Sequence, residues 1–227
     1  MPLARVLEPE EMDRPDEAAE YDQMDFSATD QLFAGRAAEL ARPGGWIVDI
    51  GCGNAKIPLA IANLAPASPV CAVEMSGAML AVAVRNRTKA RDAARGVQFV
   101  RGDAKNLPFA AGSVSLVTSN SLIHHVPDPR DVFREIARIV NSAPSQPRVL
   151  VRDLVRPHSE ADLSALVEKY SAGWSRPQRR LYEDSLHAAL SLEEVRECAA
   201  TAGLRGVRVE QITDRHWSLE PEDGGLS

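Results

Sequence analysis

The sequence predicts a doubly wound α/β fold: a mostly parallel, seven-stranded sheet with one antiparallel strand and a small helical cap. Three observations carry this expectation. Short β-rich runs alternate with helix-period segments from Trp46 to Asp153. Several of those runs are apolar throughout, as strands covered on both faces must be. The chain then ends in two β-rich runs joined by a turn too short for a parallel crossover, so that pair is antiparallel.

The elements follow in order. A short helix covers Glu17 to Tyr21, and a second runs from Ala28 to Ala41, where Leu32, Phe33, Ala37 and Leu40 share a face and Pro43-Gly44-Gly45 ends it, although Gly35 interrupts it. The first strand is Trp46 to Ile50, followed by a helix from about Asn54 to Leu64. Pro69 to Glu74 is the second strand, and Ser76 caps a helix with Leu80, Val82, Ala83 and Val84 on its apolar side. The basic run Arg85 to Arg91 reads as a solvated face near that helix's C-terminus. Val97 to Arg101 and Ser113 to Thr118 are strands three and four. Asp128-Pro129 is an N-cap and first-turn proline, opening a helix striped with Val132, Phe133, Ile136, Ile139 and Val140. Strand five is Arg148 to Asp153. Beyond it Ser159 with Asp162 resembles a capping box, a polar stretch follows, and Ser191 with Glu194 caps a helix that Gly203 closes. The last two strands lie near Val207 to Ile212 and Arg215 to Leu219.

At 227 residues, with 44% hydrophobic and 26% charged residues, the chain suits one globular domain, with an N-terminal helical lid over about 1–44 and a cap insertion over about 154–190. Its formal charge of −6 is the wrong sign for a surface that collects nucleic acid. Cys52, Cys71 and Cys198 are scattered, without metal or disulfide spacing, and fit reduced thiols in a cytoplasmic protein. No histidine and carboxylate set stands at ligand spacing, so no metal is expected. Neither a secretory h-region nor an apolar run long enough to span a membrane is present, so no membrane partner is expected.

The stretch from Trp46 to Ala62 carries the clearest chemical signal. Asp49 ends an apolar run, Gly51 and Gly53 follow, and a helix begins, which is how a nucleotide-binding strand, turn and helix reads. A dinucleotide fingerprint requires a third glycine, and Lys56 stands where it would fall. Glu74 closes the second strand, where a carboxylate can accept from both ribose hydroxyls; Asp103 follows the third, and Asn120 the fourth. One polar strand end is ordinary solvation. Four successive ones along one rim suggest a site.

With those residues in view, the chain resembles the class I S-adenosylmethionine (SAM)-dependent methyltransferases of small-molecule type, from about Trp46 to Asp153 with a family-like ending to Leu219. The resemblance implies that SAM is the cofactor. It implies that Asp49, Gly51, Cys52 and Gly53 hold the methionine end, that Glu74 holds the ribose, and that Met75, Asp103 and Ala104 surround the adenine. Asn120 and Ser121 open the segment that lies under the methionine. Ala55 departs from a frequent third glycine, which leaves the loop's detailed shape in question.

Methyl transfer needs a nucleophile held in line and a base only if the acceptor arrives protonated. His124, His125 and Asp153 are the candidate catalytic residues, each with a bland alternative as packing, capping or a salt bridge with Arg152. Tyr21, Arg152, Trp174 and Tyr182 are candidate substrate contacts, and Tyr21 with Phe26 either closes an N-terminal lid over SAM or anchors packing. Arg176, Arg179 and Arg180 read either as an acidic-substrate patch or as a solvated basic loop, and His187, His216 and Trp217 are read as reaching the cap, with core or edge the alternative for His216. The expected partner is a small-molecule methyl acceptor. A SAM-binding regulatory module without turnover and an NAD-dependent oxidoreductase remain open alternatives.

Overall fold

The computed structural model describes residues 3–8, 13–90, 92–140 and 148–222. Two helices, α1 (Pro15–Gln23) and α2 (Ser27–Leu40), lead into β1 (Ile47–Ile50), α3 (Lys56–Leu64), β2 (Val70–Glu74), α4 (Gly77–Lys89), a short α5 (Asp92–Arg95) and β3 (Gln98–Arg101). Then come β4 (Leu116–Asn120), a 3-10 turn (Ile123–His125), α6 (Pro129–Val140) and β5 (Val149–Leu154). The chain finishes with α7 (Glu160–Tyr170), α8 (Arg176–Ala188), α9 (Leu192–Thr201), β6 (Val207–Gln211) and β7 (His216–Pro221).

The strands form one seven-stranded sheet in the order β3-β2-β1-β4-β5-β7-β6. Only β7 runs antiparallel to its neighbours, pairing Asp153 with Trp217 on one side and Val209 with Leu219 on the other. Going outward from β1 the chain first builds β2 and β3, then returns to place β4 on β1's other side. Ligands bind outside the carboxyl ends of the strands at such a reversal.

Burial explains the layers. β1 is buried along its whole length, as the uninterrupted apolar run requires. On one face the stripe Val132, Phe133, Ile136, Ile139 and Val140 of α6 packs into a core shared with Val195 of α9 and Trp217 and Leu219 of β7. On the other, Phe33, Ala37 and Leu40 of α2 meet Leu59 and Ile61 of α3 against Ile47, Leu116 and Leu150. A smaller cluster of Leu163, Val167, Tyr182 and Leu186 joins α7 and α8 to Leu154 at the end of β5. The helix starts are satisfied as the sequence indicates: Ser76 Oγ accepts from the Met79 N–H, Ser191 and Glu194 form a full capping box, and Gly203 takes the left-handed φ of 77° after α9.

Several expectations change. The stretch read as a solvated basic loop is the helix α8, held by a Ser175–Gln178 capping box with Pro177 in its first turn, and its inner face buries Tyr182 and Leu186. The fourth strand starts three residues late, because the N–H groups of Ser113, Val114 and Ser115 are spent on the carbonyls of Ala110, Ile139 and Trp46 in an entry turn. Within the run read as solvated, Arg87 folds back, donating to the Val97 carbonyl at 3.0 Å with its guanidinium over Phe99; Arg91 lies outside the described residues. Trp217 is fully buried core, and His216 sits at the strand edge, where burial and then Arg215 push its pKa down to about 4.

Two glycines give opposite expectations for one substitution. A methyl on Gly35, inside α2, meets nothing within 4 Å, so Gly35→Ala is expected to stabilise the protein by about 0.5–1 kcal/mol. A methyl on Gly45 lands 2.5 Å from Ser115 Cβ and 2.2 Å from its Oγ, so Gly45→Ala is expected to cost about 1–3 kcal/mol. Urea unfolding of the two variants beside the parent checks both signs.

Candidate active site

The glycine turn after β1 is built by its backbone. Gly51 has φ 69° and Gly53 φ 53°, and an added methyl on Gly51 would sit 2.8 Å from Leu122 Cδ1. The next residue in that register, Ala55, also takes a left-handed φ of 63°, with its methyl fully buried. The backbone cost of roughly 1–2 kcal/mol is only partly offset by about 0.8 kcal/mol of methyl burial. Ser121, directly after β4, is the other non-glycine residue at positive φ among the described residues, at 59°. Strain of this kind tends to gather at functional sites.

Glu74 ties the turn to the neighbouring strand. Its Oε2 accepts from the Gly53 N–H at 2.8 Å and its Oε1 from the Ser76 N–H at 2.9 Å. Each oxygen keeps a lone pair for a further donor. One strand over, Asp49 is buried and accepts from Thr118 Oγ1 at 2.6 Å, a bond that bridges β1 and β4 where the chain reverses. Burial, partly countered by Thr118 and reinforced by Glu74 and Asp30, pushes the Asp49 carboxyl up to about 7. Burial likewise raises Asp30 to about 6. The Cys52 thiol, buried beside Asp49 and Glu74, is pushed well above its ordinary value and stays protonated.

These groups line one cavity at the carboxyl ends of β1, β2 and β4. Asp49, Gly51, Cys52, Gly53, Glu74, Asn120 and Ser121 form its floor, and Tyr21, Phe26 and Asp30 its outer wall. A narrower annex beside it is lined by Met75, Asp103 and Ala104 and shares Gly51, Glu74 and Leu122 with it. All ten residues assigned to a cofactor from the sequence are thus brought together. The sequence reading passed over Asp30, Asn54, Ile57, Met79 and Leu122, which line the same space.

Lys56, where a dinucleotide fold would carry its third glycine, has a different task. Its Nζ donates to the Asp22 carbonyl at 2.6 Å and the Met24 carbonyl at 3.4 Å, at the C-terminal end of α1. Asp22 Oδ1 accepts in turn from Asn54 and Asn86. Asp13, just before α1, accepts from the Gly77 N–H at the start of α4. The N-terminal helix is thereby fastened over the glycine turn.

The candidate catalytic residues separate. His125 lines the cavity with 29% of its side chain exposed, whereas His124 is 4% exposed and faces inward. Asp153 is buried: its carboxylate accepts from His124 Nδ1 at 2.5 Å and from the N–H groups of Ile123 at 2.5 Å and His124 at 3.3 Å. Asp153 thus pins the 3-10 turn that presents His125. The expected Asp153–Arg152 pair is replaced, because consecutive strand residues point to opposite faces. Arg152 instead lies over the Phe33 ring, 5.4 Å from its centroid, on the far side of the sheet from Asp153. Trp174 and Tyr182 extend a row of rings from the cavity wall: Tyr21–Phe26 at 5.9 Å, Phe26–Trp174 at 6.3 Å and Trp174–Tyr182 at 5.7 Å between centroids.

Comparison with known proteins agrees with this geometry. Residues 48–143 match a family model described as a methyltransferase domain. Among relatives, a malonyl-[acyl-carrier protein] O-methyltransferase of Hahella chejuensis is 26% identical over 70% of this chain and 50% of its own length. The 27-O-demethylrifamycin SV methyltransferase of Amycolatopsis mediterranei is 28% identical over 87% of this chain and 66% of its own. The chain thus spans about half to two thirds of the length of these relatives. Among solved structures, a SAM-dependent methyltransferase of Aquifex aeolicus superposes with a TM-score of 0.63 at 14% identity, covering 92% of this chain and 97% of that one. Phosphoethanolamine N-methyltransferase 2 of Haemonchus contortus, solved with S-adenosylhomocysteine, gives 0.63 at 23% identity, over 82% and 39%. The sheet has the class I methyltransferase order. Residues 48–143 are thus similar to methyltransferase domains, and the sheet that contains them has the class I methyltransferase fold.

The buried His124–Asp153 pair sets a pH-dependent stability. Burial opposes both charges, but Asp153 outweighs it and holds His124 above its ordinary range, while His124 holds Asp153 below the usual carboxylate range. Asp153's contribution is present above its unfolded value of about 4 and is lost as pH falls through its depressed pKa. That of His124 is present below about 6.5 and is lost as pH rises through its raised pKa. Asp153→Asn is therefore expected to cost about 3–5 kcal/mol near pH 6, less at alkaline pH, measured by urea unfolding at both.

Proposed function

We propose that the protein is a SAM-dependent methyltransferase that methylates a small molecule and releases S-adenosylhomocysteine, acting in the cytoplasm. The observation that carries this is the charge of the cavity. Asp30, Asp49 and Glu74 converge on it, while Lys56 is engaged with the end of α1. Crowded carboxylates, with Asp30 and Asp49 desolvated and raised, favour a cationic ligand and disfavour a pyrophosphate. This fits SAM, which carries a sulfonium and an ammonium, better than NAD. Bound there, SAM would supply an electrophilic methyl group.

The chain's own residues supply the rest. Glu74, with each oxygen already set by a backbone N–H, is placed to accept from ribose hydroxyls; Asp103, Met75 and Ala104 line the annex suited to the adenine. Gly51, Cys52, Gly53, Asn120 and Ser121, which line the cavity with Asp49, would hold the methionine end. His125 faces the cavity and takes the proton of the acceptor's nucleophilic atom as the base; His124 and Asp153 position it. Tyr21 is no base, because burial, then Asp30 and Glu74, raise its phenol to about 12. Its ring, with Phe26, excludes water from above. The helix at 15–23 serves as a lid and those at 160–188 as an acceptor cap, while α2 belongs to the layer that covers the sheet.

The aromatic row from Tyr21 to Tyr182 suits an acceptor with a flat, apolar body. Relatives named for a rifamycin and for 2-phytyl-1,4-naphthoquinone support that class. Among the described residues no helix is long and apolar enough to cross a membrane, and the three cysteines are free and buried.

Calorimetric titration with SAM, S-adenosylhomocysteine and NAD tests the reading. Both sulfur nucleotides are expected to bind and NAD not to. Glu74→Ala is expected to weaken SAM roughly 10- to 100-fold, the loss of about 1.5–3 kcal/mol in hydrogen bonds to a charged group. Folded protein that binds no SAM would sink the proposal.

A further inference from the structure

Residues 3–8 precede the methyltransferase match and are stitched along the cap and the 3-10 turn. The Leu3 N–H donates to the Pro157 carbonyl and the Val6 N–H to the His187 carbonyl, each at 3.1 Å. Arg5 donates to the carbonyls of Ala188, His124, Val126 and Pro127 at 2.7–3.1 Å. This carries Glu8 inward until its side chain is 8% exposed.

The Glu8 carboxylate lies beside both imidazoles. Its Oε1 is 3.1 Å from His125 Nδ1 and 3.4 Å from His124 Nε2, and its Oε2 accepts from Ser185 Oγ at 3.3 Å. Burial would push this carboxyl up, but His125 and then His124 outweigh it and hold it below the usual range. His124 Nδ1 is already committed to Asp153. Glu8 Oε1 and His125 Nδ1 are both sealed from solvent, and despite their closeness neither has an aligned hydrogen bond in this rotamer. Leaving such a pair unmade costs about 1–3 kcal/mol, and a turn of the exposed ring about its Cβ–Cγ bond would make it.

We propose that Glu8 is the orienting carboxylate of His125: it accepts the Nδ1 proton and so leaves the Nε2 lone pair free on the ring's opposite edge, toward the cavity. This deepens the methyl-transfer reading and rests on it for its catalytic meaning. The Nε2 lone pair takes the proton from the acceptor's nucleophilic atom, and the electron pair of the broken bond stays on that atom. Glu8 stabilises the resulting imidazolium, the division of labour of a carboxylate–histidine pair in a triad. The proton-accepting site is then completed from outside the methyltransferase match, by the N-terminal segment.

The same three groups offer ligand atoms within 4.8 Å of one another, which is also compatible with a divalent cation. The imidazoles, however, lie nearly stacked, with centroids 4.1 Å apart and planes 34° apart, where ligands of one ion would fan out around it. The geometry favours the proton-accepting pair.

The test is long-range 1H–15N spectroscopy of the full chain labelled at its histidines, without ligand, at about pH 8, above the ordinary histidine range. His125→Gln identifies the His125 signals. The proton is expected on Nδ1 in the parent and in Glu8→Gln, which keeps an acceptor oxygen, and on Nε2 in Glu8→Ala. A parent carrying the proton on Nε2, or a tautomer unchanged in folded Glu8→Ala, would overturn the proposal. So would one tightly bound equivalent of Zn2+ that is lost in Glu8→Gln. Should Glu8→Ala fail to fold, the parent spectrum and the zinc titration still decide. Since no SAM is present, failure here is distinct from failure to bind SAM.

Discussion

The hydrogen bond from Thr118 to Asp49 joins β1 to β4 at the point where the sheet reverses its order, and the site is organised around it. A parallel sheet must end its strands in polar groups at one rim, and the reversal opens a crevice between two of those ends. Asp49 stands at the bottom of that crevice, nearly devoid of solvent and, among the described residues, without a counter-cation of its own. Asp30 and Glu74 add two more carboxylates above it. Such a rim holds its charges at a cost, and a cation placed there relieves it. The cavity's choice of ligand is in this sense a property of the sheet's topology.

Around that crevice the chain uses small, local devices to hold its shape. Left-handed residues at Gly51, Gly53, Ala55 and Ser121 bend the backbone out of the way. Glu74 links the glycine turn to the start of α4, and Lys56 links it to the end of α1. Asp153 does the corresponding work for the 3-10 turn, satisfying its N–H groups and one histidine so that the other is left to the cavity. Two adjacent histidines thus take unlike parts, one structural and one facing the ligand space.

Most of the frame was legible because its signals are local. Each strand is an apolar run closed by a polar residue, so Asp49, Glu74, Asp103 and Asn120 could be placed on one rim by counting alone. The unlike fates of Arg152 and Asp153 were also available, since side chains alternate along a strand. The helix α8 was hidden by its arginine-rich outer face, although Ser175 and Gln178 stand at capping-box spacing. His124 and His125 could not be told apart from sequence, because their roles follow from the pitch of a 3-10 turn and a carboxylate 29 residues away. Glu8 had no local signal at all; its position is set by tertiary contacts of a segment without periodicity.

The most direct test of the charge argument is the affinity for SAM as a function of pH. With Asp49 raised to about 7 in the free protein, binding of a cation must drive its proton off. Affinity is then predicted to fall as pH is lowered from about 8 to 6, approaching tenfold per pH unit below the Asp49 pKa, with a proton released on binding near neutrality. Asp49→Asn should flatten the profile. An affinity for SAM that is independent of pH over this range in the parent protein would contradict the claim that the acid at the sheet's reversal selects the ligand.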